Sequence, residues 1–260
     1  MQKIFSVLVW SGISLLVIFW LPLLFVTRIF DRDEVRYKTG KLFRKLGLAI
    51  SRINPNWIIT IEGAEKINDR NPYIVVCNHL SNADIPLISN LPWEMKWVAK
   101  NELFEVPVVG WMMRMAGDIS VDRKAGNQQK KVFDDCSFYL NRNCSVIFFP
   151  EGTRSRDGRL GKFKTGAFVL SRRLNVPVLP LVIDGTQDCL PKKNWVFKPQ
   201  VYINLKVLDP VYPEDYSENS SNEMLSDVRE MILNQLSEWR NTEPEVIDVT
   251  RVQRLAGGAS

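Results

Sequence analysis

Residues 73–90 read YIVVCNHLSNADIPLISN and change character at Cys77. The part before this point is apolar and rich in β-branched and aromatic residues, which predicts a buried strand over Tyr73–Cys77. The part after it is polar, and the sequence predicts a helix over Asp84–Asn90, capped by Ser81 or Asn82. Residues 73–90 therefore predict a strand–turn–helix unit.

Strands and helices continue to alternate along the chain. The other predicted strands are Trp57–Glu62, Lys96–Ala99, Asp118–Val121, Ser145–Phe149, Val178–Ile183 and Val201–Val207. The other predicted helices are Val106–Met115, Asn127–Leu140, Lys164–Leu174 and Asn222–Trp239. The pattern predicts an α/β domain over residues 56–240, a mixed sheet covered by helices. Residues 241–260 lack clear periodicity, and we expect a mobile tail there.

The N-terminal segment is long and apolar. Ile4–Val26 has 23 residues without a charge, which as a helix spans about 34 Å, enough for a hydrocarbon core of about 30 Å. Residues 1–30 are therefore predicted to form a transmembrane helix. The alternative, a cleaved signal peptide, has a shorter apolar stretch of about 7–15 residues. Deleting Met1 to Phe30 is expected to impair membrane association and activity before it unfolds the domain.

The positive charge lies directly after this segment. The chain has a net charge of +5, and residues 28–53 hold eight basic and three acidic residues, which accounts for all of it. A basic excess on this side of an apolar helix places the following domain on the cytoplasmic side of the inner membrane. The rest of the chain carries no net charge, which argues against nucleic acid as a partner.

Residues 31–55 are predicted to form a basic amphipathic helix at the membrane interface. Its apolar stripe consists of Leu42, Phe43, Leu46, Ala49, Ile50 and Ile53. Its cations, mainly away from that stripe, are Lys38, Lys41, Arg44, Lys45 and Arg52. Such a helix either packs on the domain with a solvated outer face or lies among anionic lipid headgroups. Its position next to the apolar segment favours the second interpretation.

The composition excludes several classes of protein. The 260 residues are 45% apolar and 24% charged, which is ordinary for a globular protein and excludes a disordered chain or a coiled-coil rod. The four cysteines form no C-x-x-C pair, so neither a zinc ribbon nor a disulfide scaffold is indicated. A single histidine excludes a metal centre with two or three histidine ligands in one chain.

The turn after Tyr73–Cys77 carries the candidate catalytic pair, His79 and Asp84. On a regular helix, residues five apart point about 140° away from each other and cannot meet. They can meet if His79 lies on the turn and Asp84 lies in the first helical turn. An imidazole can then remove a proton from a weak nucleophile, while the carboxylate fixes its tautomer and stabilises the cation. The alternative is a buried core histidine.

Three more fragments with anion-binding character lie at predicted strand or helix ends. FPEGTRS, Phe149–Ser155, contains Gly152, which permits close backbone approach, and Arg154, a forked donor suited to phosphate. FKTGA brings Lys164 to the start of an apolar helix, and GDISVDR ends with Arg123. Each fragment alone is compatible with a surface turn, but together they predict an anion site.

These features resemble those of the glycerolipid acyltransferase family, in particular its 1-acyl-glycerol-3-phosphate acyltransferases. The family's H-x-x-x-x-D motif matches His79 to Asp84, and its Gly-led motif ending in Arg matches Gly117–Arg123. Its F-P-E-G-T-R-S motif matches Phe149–Ser155 in full. Its hydrophobic V-P-V-x-P strand matches Val176–Leu181, VPVLPL.

The resemblance implies that His79 is a general base, oriented by Asp84, for the free hydroxyl of 1-acyl-glycerol 3-phosphate (lysophosphatidate). The hydroxyl would attack an acyl-CoA or acyl carrier protein thioester directly, giving phosphatidic acid in phospholipid biosynthesis with neither metal nor cofactor. The implied contacts to the glycerol phosphate are Arg123, Glu151, Gly152, Thr153 and Arg154, with Lys164 as a further phosphate or carrier contact. The oxyanion donor would be a backbone N–H near His79 or Gly152.

Other interpretations stay open at this point. A sister acyltransferase would use glycerol 3-phosphate, a lyso-amino lipid or another lysophospholipid as acceptor, and a catalytically silent protein would bind lipid at the membrane surface. A group of large residues either lines an acyl-chain tunnel or packs in the core: Trp93, Trp97, Trp111, Met112, Met113 and Met115. Gly185 and Thr186 are expected in a turn at the rim of the site.

Overall fold

The computed structural model describes residues 1–67, 71–122, 128–189, 195–217 and 220–250, and within these ranges one sheet of seven strands forms the centre of the fold. The strands are β1 (Trp57–Glu62), β2 (Ile74–Cys77), β3 (Met95–Lys100), β4 (Ile119–Val121), β5 (Ser145–Phe148), β6 (Val178–Asp184) and β7 (Val201–Val207). Their order across the sheet is β1-β7-β6-β2-β5-β3-β4. Neighbours run parallel except β6 and β7, which are antiparallel. The predicted mixed sheet is confirmed.

The helices precede the sheet, connect its strands and follow it. They are α1 (Gln2–Phe30), α2 (Tyr37–Ile53), α3 (Asp84–Ile88), α4 (Asn101–Glu105), α5 (Val109–Ala116), α6 (Gln128–Leu140), α7 (Gly166–Leu174), α8 (Ser221–Arg240) and α9 (Pro244–Ile247). The helix predicted over Val106–Met115 is α5, which begins three residues later than expected because Pro107 and Val108 separate it from the short helix α4. A proline disfavours the helical conformation of the residue before it, and Val108 has a φ of 67°.

Each face of the sheet is covered by helices because successive side chains of a strand point to opposite faces. Ile74 and Val76 of β2 pack against α6, α7 and α8, whereas Val75 and Cys77 pack towards α1 and α3. The inner face of α8 shows why that helix forms where it does. Four of its buried residues recur every four positions: Met224, Val228, Ile232 and Leu236.

Helix α1 is long and apolar enough to cross a membrane, but it lies along the domain. Near its start, the side chain of Gln2 donates to the carbonyl of Phe197 at 3.0 Å. The Trp10 ring packs on the Phe197 ring with centroids 5.3 Å apart. Towards its end, Trp20 Nε1 donates to the carbonyl of Leu42 in α2, and Leu24 is completely buried.

The packing of α1 bears on the predicted transmembrane helix over residues 1–30, which stays a prediction. A helix of 29 residues is about 43 Å long, and α1 contacts the rest of the protein near both ends. The opposite face of α1 is a continuous exposed apolar surface that includes Ile4, Leu8, Leu15, Ile18, Phe19, Leu23, Val26 and Phe30.

Helix α2 packs on the domain through a charged residue that was predicted to face lipid headgroups. Arg44 is buried, and its guanidinium lies 2.5 Å from the carboxylate of Asp118, just before β4. Glu94 and Lys96 complete a buried cluster around it, with Lys96 Nζ 2.9 Å from Glu94 Oε1. The prediction is wrong for Arg44, whereas Lys45 on the same helix is exposed.

The end of the described chain is also packed, which differs from the mobile tail expected from residue 241. Asp248 is buried, and both of its carboxylate oxygens accept hydrogen bonds from the guanidinium of Arg229 in α8. Despite the cost of burial, these hydrogen bonds and the positive charge hold the pKa of Asp248 well below its usual range. Residues 251–260 lie outside the described chain.

Candidate active site

The candidate site lies at one edge of the sheet. Strands β2, β5, β6, β3 and β4 share one direction, so their carboxyl ends meet at the same edge. His79 follows β2, Glu151 follows β5 and Thr186 follows β6. Lys100, an exposed residue outside every motif described above, ends β3 at this edge. Parallel strand topology thus collects residues that are far apart in the chain.

The side chains of His79 and Asp84 meet at this edge. Nδ1 of His79 lies 2.6 Å from Oδ2 of Asp84. His79 lies on the turn after β2, and Asp84 is the first residue of α3, which is the placement their spacing required. Because Asp84 is fully buried and the His79 side chain is 15% exposed, the pair is shielded but open to solvent on the imidazole side.

The carboxylate of Asp84 is held from several directions. Its Oδ2 also accepts the backbone N–H groups of Leu80 and Ser81, at 2.8 and 3.0 Å. Its other oxygen, Oδ1, accepts the hydroxyl of Thr186 at 2.5 Å. These donors favour the ionised form of a buried carboxylate. They also leave Asp84 suited to accept the Nδ1–H of His79, which makes Nε2 the basic nitrogen.

The Phe149–Ser155 segment holds His79 through its ring and its backbone. The Phe149 ring stacks on the imidazole with centroids 3.9 Å apart and planes 15° apart. The backbone N–H of Ser155 donates to the carbonyl of His79 at 2.7 Å. A third contact comes from Glu151, whose Oε1 accepts the backbone N–H of His79 at 2.8 Å. This segment therefore fixes the position of the imidazole.

Glu151 has a different task from the predicted contact to a glycerol phosphate. Its Oε2 accepts the backbone N–H of Gly161 at 2.8 Å, so both oxygens are bonded within the protein. Burial raises the pKa of Glu151 to about 7, and the negative charge of Asp84 acts in the same direction. The hydrogen bonds from His79 and Gly161 partly oppose the shift. We therefore interpret the Glu151 side chain as a brace between two loops.

Three of the other predicted anion contacts reach solvent, since Thr153, Arg154 and Lys164 are exposed. Gly152 is buried and has a φ of 74°, a conformation that glycine adopts without strain. The backbone N–H of Lys164 donates to the carbonyl of Pro150, which joins the start of α7 to the same turn. Arg123 lies outside the described residues, so its predicted role stays a prediction.

The backbone N–H groups next to the catalytic pair are already engaged. His79 donates to Glu151, Leu80 and Ser81 donate to Asp84, and Gly152 donates to the carbonyl of Phe149 at 2.9 Å. The expectation that one of these N–H groups stabilises the oxyanion is not supported by this bonding.

Cys77 and Asn78 lie at the end of β2, directly before His79. The Asn78 side chain donates to the carbonyl of Ile183 and accepts its N–H, both at 2.8 Å, which ties the end of β2 to β6. Cys77 is buried, and burial raises the pKa of its thiol well above the usual range. All four cysteines are free and buried. In the described part of the chain, no group of three or more His, Cys, Asp and Glu residues is arranged to hold a metal ion.

The aromatic and methionine residues expected to form one apolar region are divided between places. Trp93 and Trp97 are buried in the core on the α1 side of the sheet, and the Trp97 ring lies 5.9 Å from the Phe149 ring. Trp111 is 52% exposed on α5, and Met112 is buried between α1, α2 and α5. Trp97 therefore borders the site, whereas Trp111 belongs to the surface.

Two residues contribute to the site in ways that the sequence did not indicate. Phe149 is the first residue of the FPEGTRS motif, and nothing in the sequence indicates that its ring stacks on His79. Thr186 was expected at the rim of the site, but it is fully buried against Asp84. A hydroxyl residue after a buried strand was the available signal for Thr186.

Comparisons with known proteins agree with this arrangement. The acyltransferase family profile matches residues 58–184. A chloroplastic 1-acyl-sn-glycerol-3-phosphate acyltransferase of Arabidopsis thaliana is 38% identical over 160 residues, which are 61% of this chain and 45% of the relative. A 1-acyl-sn-glycerol-3-phosphate acyltransferase of Cocos nucifera is 31% identical over 236 residues, 90% of this chain and 71% of the relative.

A solved structure shares the fold. The crystal structure of the 1-acyl-sn-glycerophosphate acyltransferase PlsC from Thermotoga maritima superposes with a TM-score of 0.77 at 28% identity. The alignment covers 92% of this chain and 98% of that chain. In contrast, this chain spans about half the length of the first plant relatives that it matches, 45% for Arabidopsis thaliana and 53% for Brassica napus.

Proposed function

The chain belongs to the acyltransferase family, and from this premise we propose that it acylates the free hydroxyl of 1-acyl-glycerol 3-phosphate. The acyl donor is a thioester, and the product is phosphatidic acid for phospholipid biosynthesis. The observation that carries the proposal is the contact between His79 Nδ1 and Asp84 Oδ2 at an open sheet edge. Relatives named 1-acyl-sn-glycerol-3-phosphate acyltransferases support the choice of acceptor.

The proposed chemistry uses the unbonded side of the imidazole. Nε2 of His79 accepts the proton of the acceptor hydroxyl while Asp84 stabilises the resulting cation. The hydroxyl oxygen forms a bond to the thioester carbon, and the C–S bond then breaks. The thiolate leaves and takes up the proton from His79, so the protein is restored. Asp84 is held by His79, Leu80, Ser81 and Thr186 and does not itself exchange a proton with the substrate.

The proposed phosphate contact is Arg154, with Thr153 and Lys164 beside it. A guanidinium can bind two phosphate oxygens in parallel, which fixes the position of the acceptor as well as its charge. Holding the acceptor in this way keeps its hydroxyl at reacting distance from the thioester. Arg123 is retained as a further proposed contact. Glu151 is not, because its carboxylate is bonded to His79 and Gly161.

The proposed location is the cytoplasmic face of the inner membrane, with membrane lipids as partners. The exposed apolar face of α1 supports membrane association. Because α1 lies along the domain, we propose that this face enters one leaflet and holds the site close to the lipid acceptor. The thioester donor, acyl-CoA or acyl carrier protein, approaches from the cytoplasm. The proposal requires no cofactor.

The test is an acceptor panel with the full-length protein and variants at two arginines. Wild-type protein in lysophosphatidate-containing vesicles is expected to release thiol from an acyl thioester. Arg154→Ala is expected to raise the KM for lysophosphatidate by about 10- to 100-fold, since a charge-assisted contact is lost. Arg142→Ala is the control, because its side chain binds Glu34 on the protein surface.

The panel also contains glycerol 3-phosphate, a lyso-amino lipid and a neutral lysolipid. A preference for an acceptor without a free phosphate would overturn the proposed acceptor and favour a sister acyltransferase. Binding of lysophosphatidate without thiol release in the wild-type protein would favour a silent lipid-binding protein instead.

A further inference from the structure

The turn after β6 brings one hydroxyl under the catalytic pair. Gly185 has a φ of 87°, and a Cβ at this position would lie 2.0 Å from the carbonyl oxygen of Tyr202. Glycine therefore lets the chain turn sharply between β6 and a 3₁₀ turn over Thr186–Asp188. The result is that Thr186 points into the protein with no solvent exposure.

Thr186 and Asp84 are 102 positions apart in the chain, and Thr186 lies beyond the 58–184 range of the family profile. Since an ionised carboxylate can only accept, the hydroxyl of Thr186 donates to Oδ1. The other donors to Asp84 all reach Oδ2. Among the described residues, Thr186 thus donates the hydrogen bond to Oδ1 of Asp84, and this bond fixes the plane of the carboxylate.

We propose that Thr186 is a positioning residue that completes a His79–Asp84–Thr186 chain. It does not touch substrate, because it is buried behind Asp84. It holds the carboxylate so that Oδ2 faces Nδ1 of His79. This inference deepens the proposed function and rests on it for its kinetic part.

Removing the Thr186 hydroxyl is expected to raise the apparent pKa of the His79–Asp84 pair, because the negative charge of Asp84 loses a hydrogen-bond donor. Without it, Oδ1 is a buried carboxylate oxygen that lacks a donor. The His79–Asp84 pair then takes up a proton more readily. The apparent pKa of the pair rises whether the proton is on the imidazole or on the carboxylate. The acid limb of the pH–rate profile is expected to move to higher pH by about half to one unit. At a given pH, less of the enzyme carries a basic imidazole.

Other titratable groups around Asp84 do not reproduce this shift. Burial raises the pKa values of Cys77 and Cys189 well above the usual range, so their thiols stay neutral. Asp184, at the end of β6, is paired with the Arg240 guanidinium. Burial raises the pKa of Glu151 to about 7, but Glu151 is unchanged in every variant compared below and contributes equally to all of them.

The kinetic test compares Thr186→Val, which keeps the shape of the side chain, with Thr186→Ser, which keeps the hydroxyl. In the full-length protein, Thr186→Val is expected to lower kcat by about 10- to 100-fold, as for other groups that orient a reacting residue. The KM for lysophosphatidate is expected to stay within about twofold. Thr186→Ser is expected to recover most of kcat and the wild-type acid limb. Equal losses in both variants, or a change confined to KM, would overturn the proposal.

A second measurement does not require activity, and it can use a replacement variant if one variant does not fold. His79 is the only histidine in the sequence, so one imidazole signal in an NMR pH titration reports on it directly. The pKa from this signal is expected to be higher in Thr186→Val, or in Thr186→Ala if the valine variant does not fold, than in Thr186→Ser. Identical titrations would overturn the proposal. A shifted titration in a protein that does not acylate lysophosphatidate would sink the proposed function and leave the role of Thr186 intact.

Discussion

The backbone N–H of His79 lies 2.8 Å from Oε1 of Glu151, and this bond joins two motifs that are 72 positions apart. Glu151 belongs to a motif that suggested contact with substrate, yet its charge is directed to the backbone of the catalytic residue. The site thus combines residues that act on substrate with residues that hold those residues in place. The two groups are expected to respond differently to substitution.

Glu151→Gln is expected to destabilise the protein and to change how stability depends on pH. A glutamine side chain has one acceptor oxygen, so either His79 or Gly161 loses its acceptor, at a cost of about 1–3 kcal/mol. Because the pKa of Glu151 is raised from 4.5 to about 7, the folded protein binds this proton more tightly than the unfolded chain. Its contribution to stability is complete below pH 4.5 and is lost as the pH rises towards 7.

Thermal unfolding midpoints of wild type and Glu151→Gln across this pH interval check the prediction. The stability advantage of wild type should shrink as the pH rises. Glu62→Gln, at an exposed position, serves as the control and should run parallel to wild type. Parallel curves for Glu151→Gln and wild type would show that Glu151 does not titrate in this interval.

Removing either member of the catalytic pair is expected to lower kcat strongly without unfolding the protein. His79→Ala removes the proposed base, and Asp84→Asn presents an amide that no longer stabilises the imidazolium. Each change is expected to lower kcat by about 10²- to 10⁴-fold. Thiol release from the acyl thioester measures activity, and circular dichroism measures the fold. Retention of a large share of wild-type activity by a folded His79→Ala protein would refute the assigned role.

Adjacent cations of α2 are expected to behave in opposite ways. Arg44→Ala leaves Asp118 and Glu94 as buried charges without their guanidinium, which typically costs about 3–5 kcal/mol. Lys45→Ala, at an exposed position, should change stability by no more than about 0.5 kcal/mol. It should instead weaken binding to anionic vesicles by about 1 kcal/mol.

Denaturant unfolding and vesicle sedimentation separate the two effects. If Arg44→Ala were as stable as Lys45→Ala, the buried cluster would contribute little to the packing of α2. If Lys45→Ala bound anionic vesicles like wild type, the exposed face of α2 would lie away from the headgroups.

The two faces of α1 provide a similar matched pair. Leu24 is 0% exposed, so Leu24→Ser is expected to destabilise the protein by about 2–5 kcal/mol. Phe19 is 71% exposed, so Phe19→Ser should leave stability nearly unchanged and weaken vesicle binding. Unfolding midpoints and vesicle sedimentation measure the two properties. If neither Leu24→Ser nor Phe19→Ser weakens vesicle binding, a membrane role for α1 is contradicted.

The same packing changes what deletion of residues 1–30 should do. The sequence led us to expect lost membrane association before unfolding. In the structure, however, α1 covers Phe197 and contributes Val9 and Leu24 to the core. We now expect the truncated protein to be less stable as well, which its unfolding midpoint would show. Phe19→Ser is therefore the better probe of membrane binding.

The sequence was sufficient for features that depend on neighbouring residues. Alternating apolar and β-branched residues placed the strands to within one or two residues, because local periodicity decides which segments can form a buried strand. The spacing of His79 and Asp84 indicated a turn followed by a helix start. In contrast, the helix predicted from Val106 begins only at Val109, because the backbone at Pro107 and Val108 breaks the helix that the apolar pattern indicated.

By itself, then, the sequence determined the α/β class, the order of the strands along the chain and the two residues of the candidate catalytic pair. The tertiary structure decided that Arg44 is buried against Asp118, that Glu151 braces His79 and that Thr186 lies behind Asp84. It also decided that α1 lies along the domain. The contacts of Arg44, Glu151 and Thr186 are with partners 72 or more positions away in the chain, and the placement of α1 depends on contacts near both of its ends. Such partners come together only when the sheet sets its strand order, and residue type and local spacing carry no record of that order.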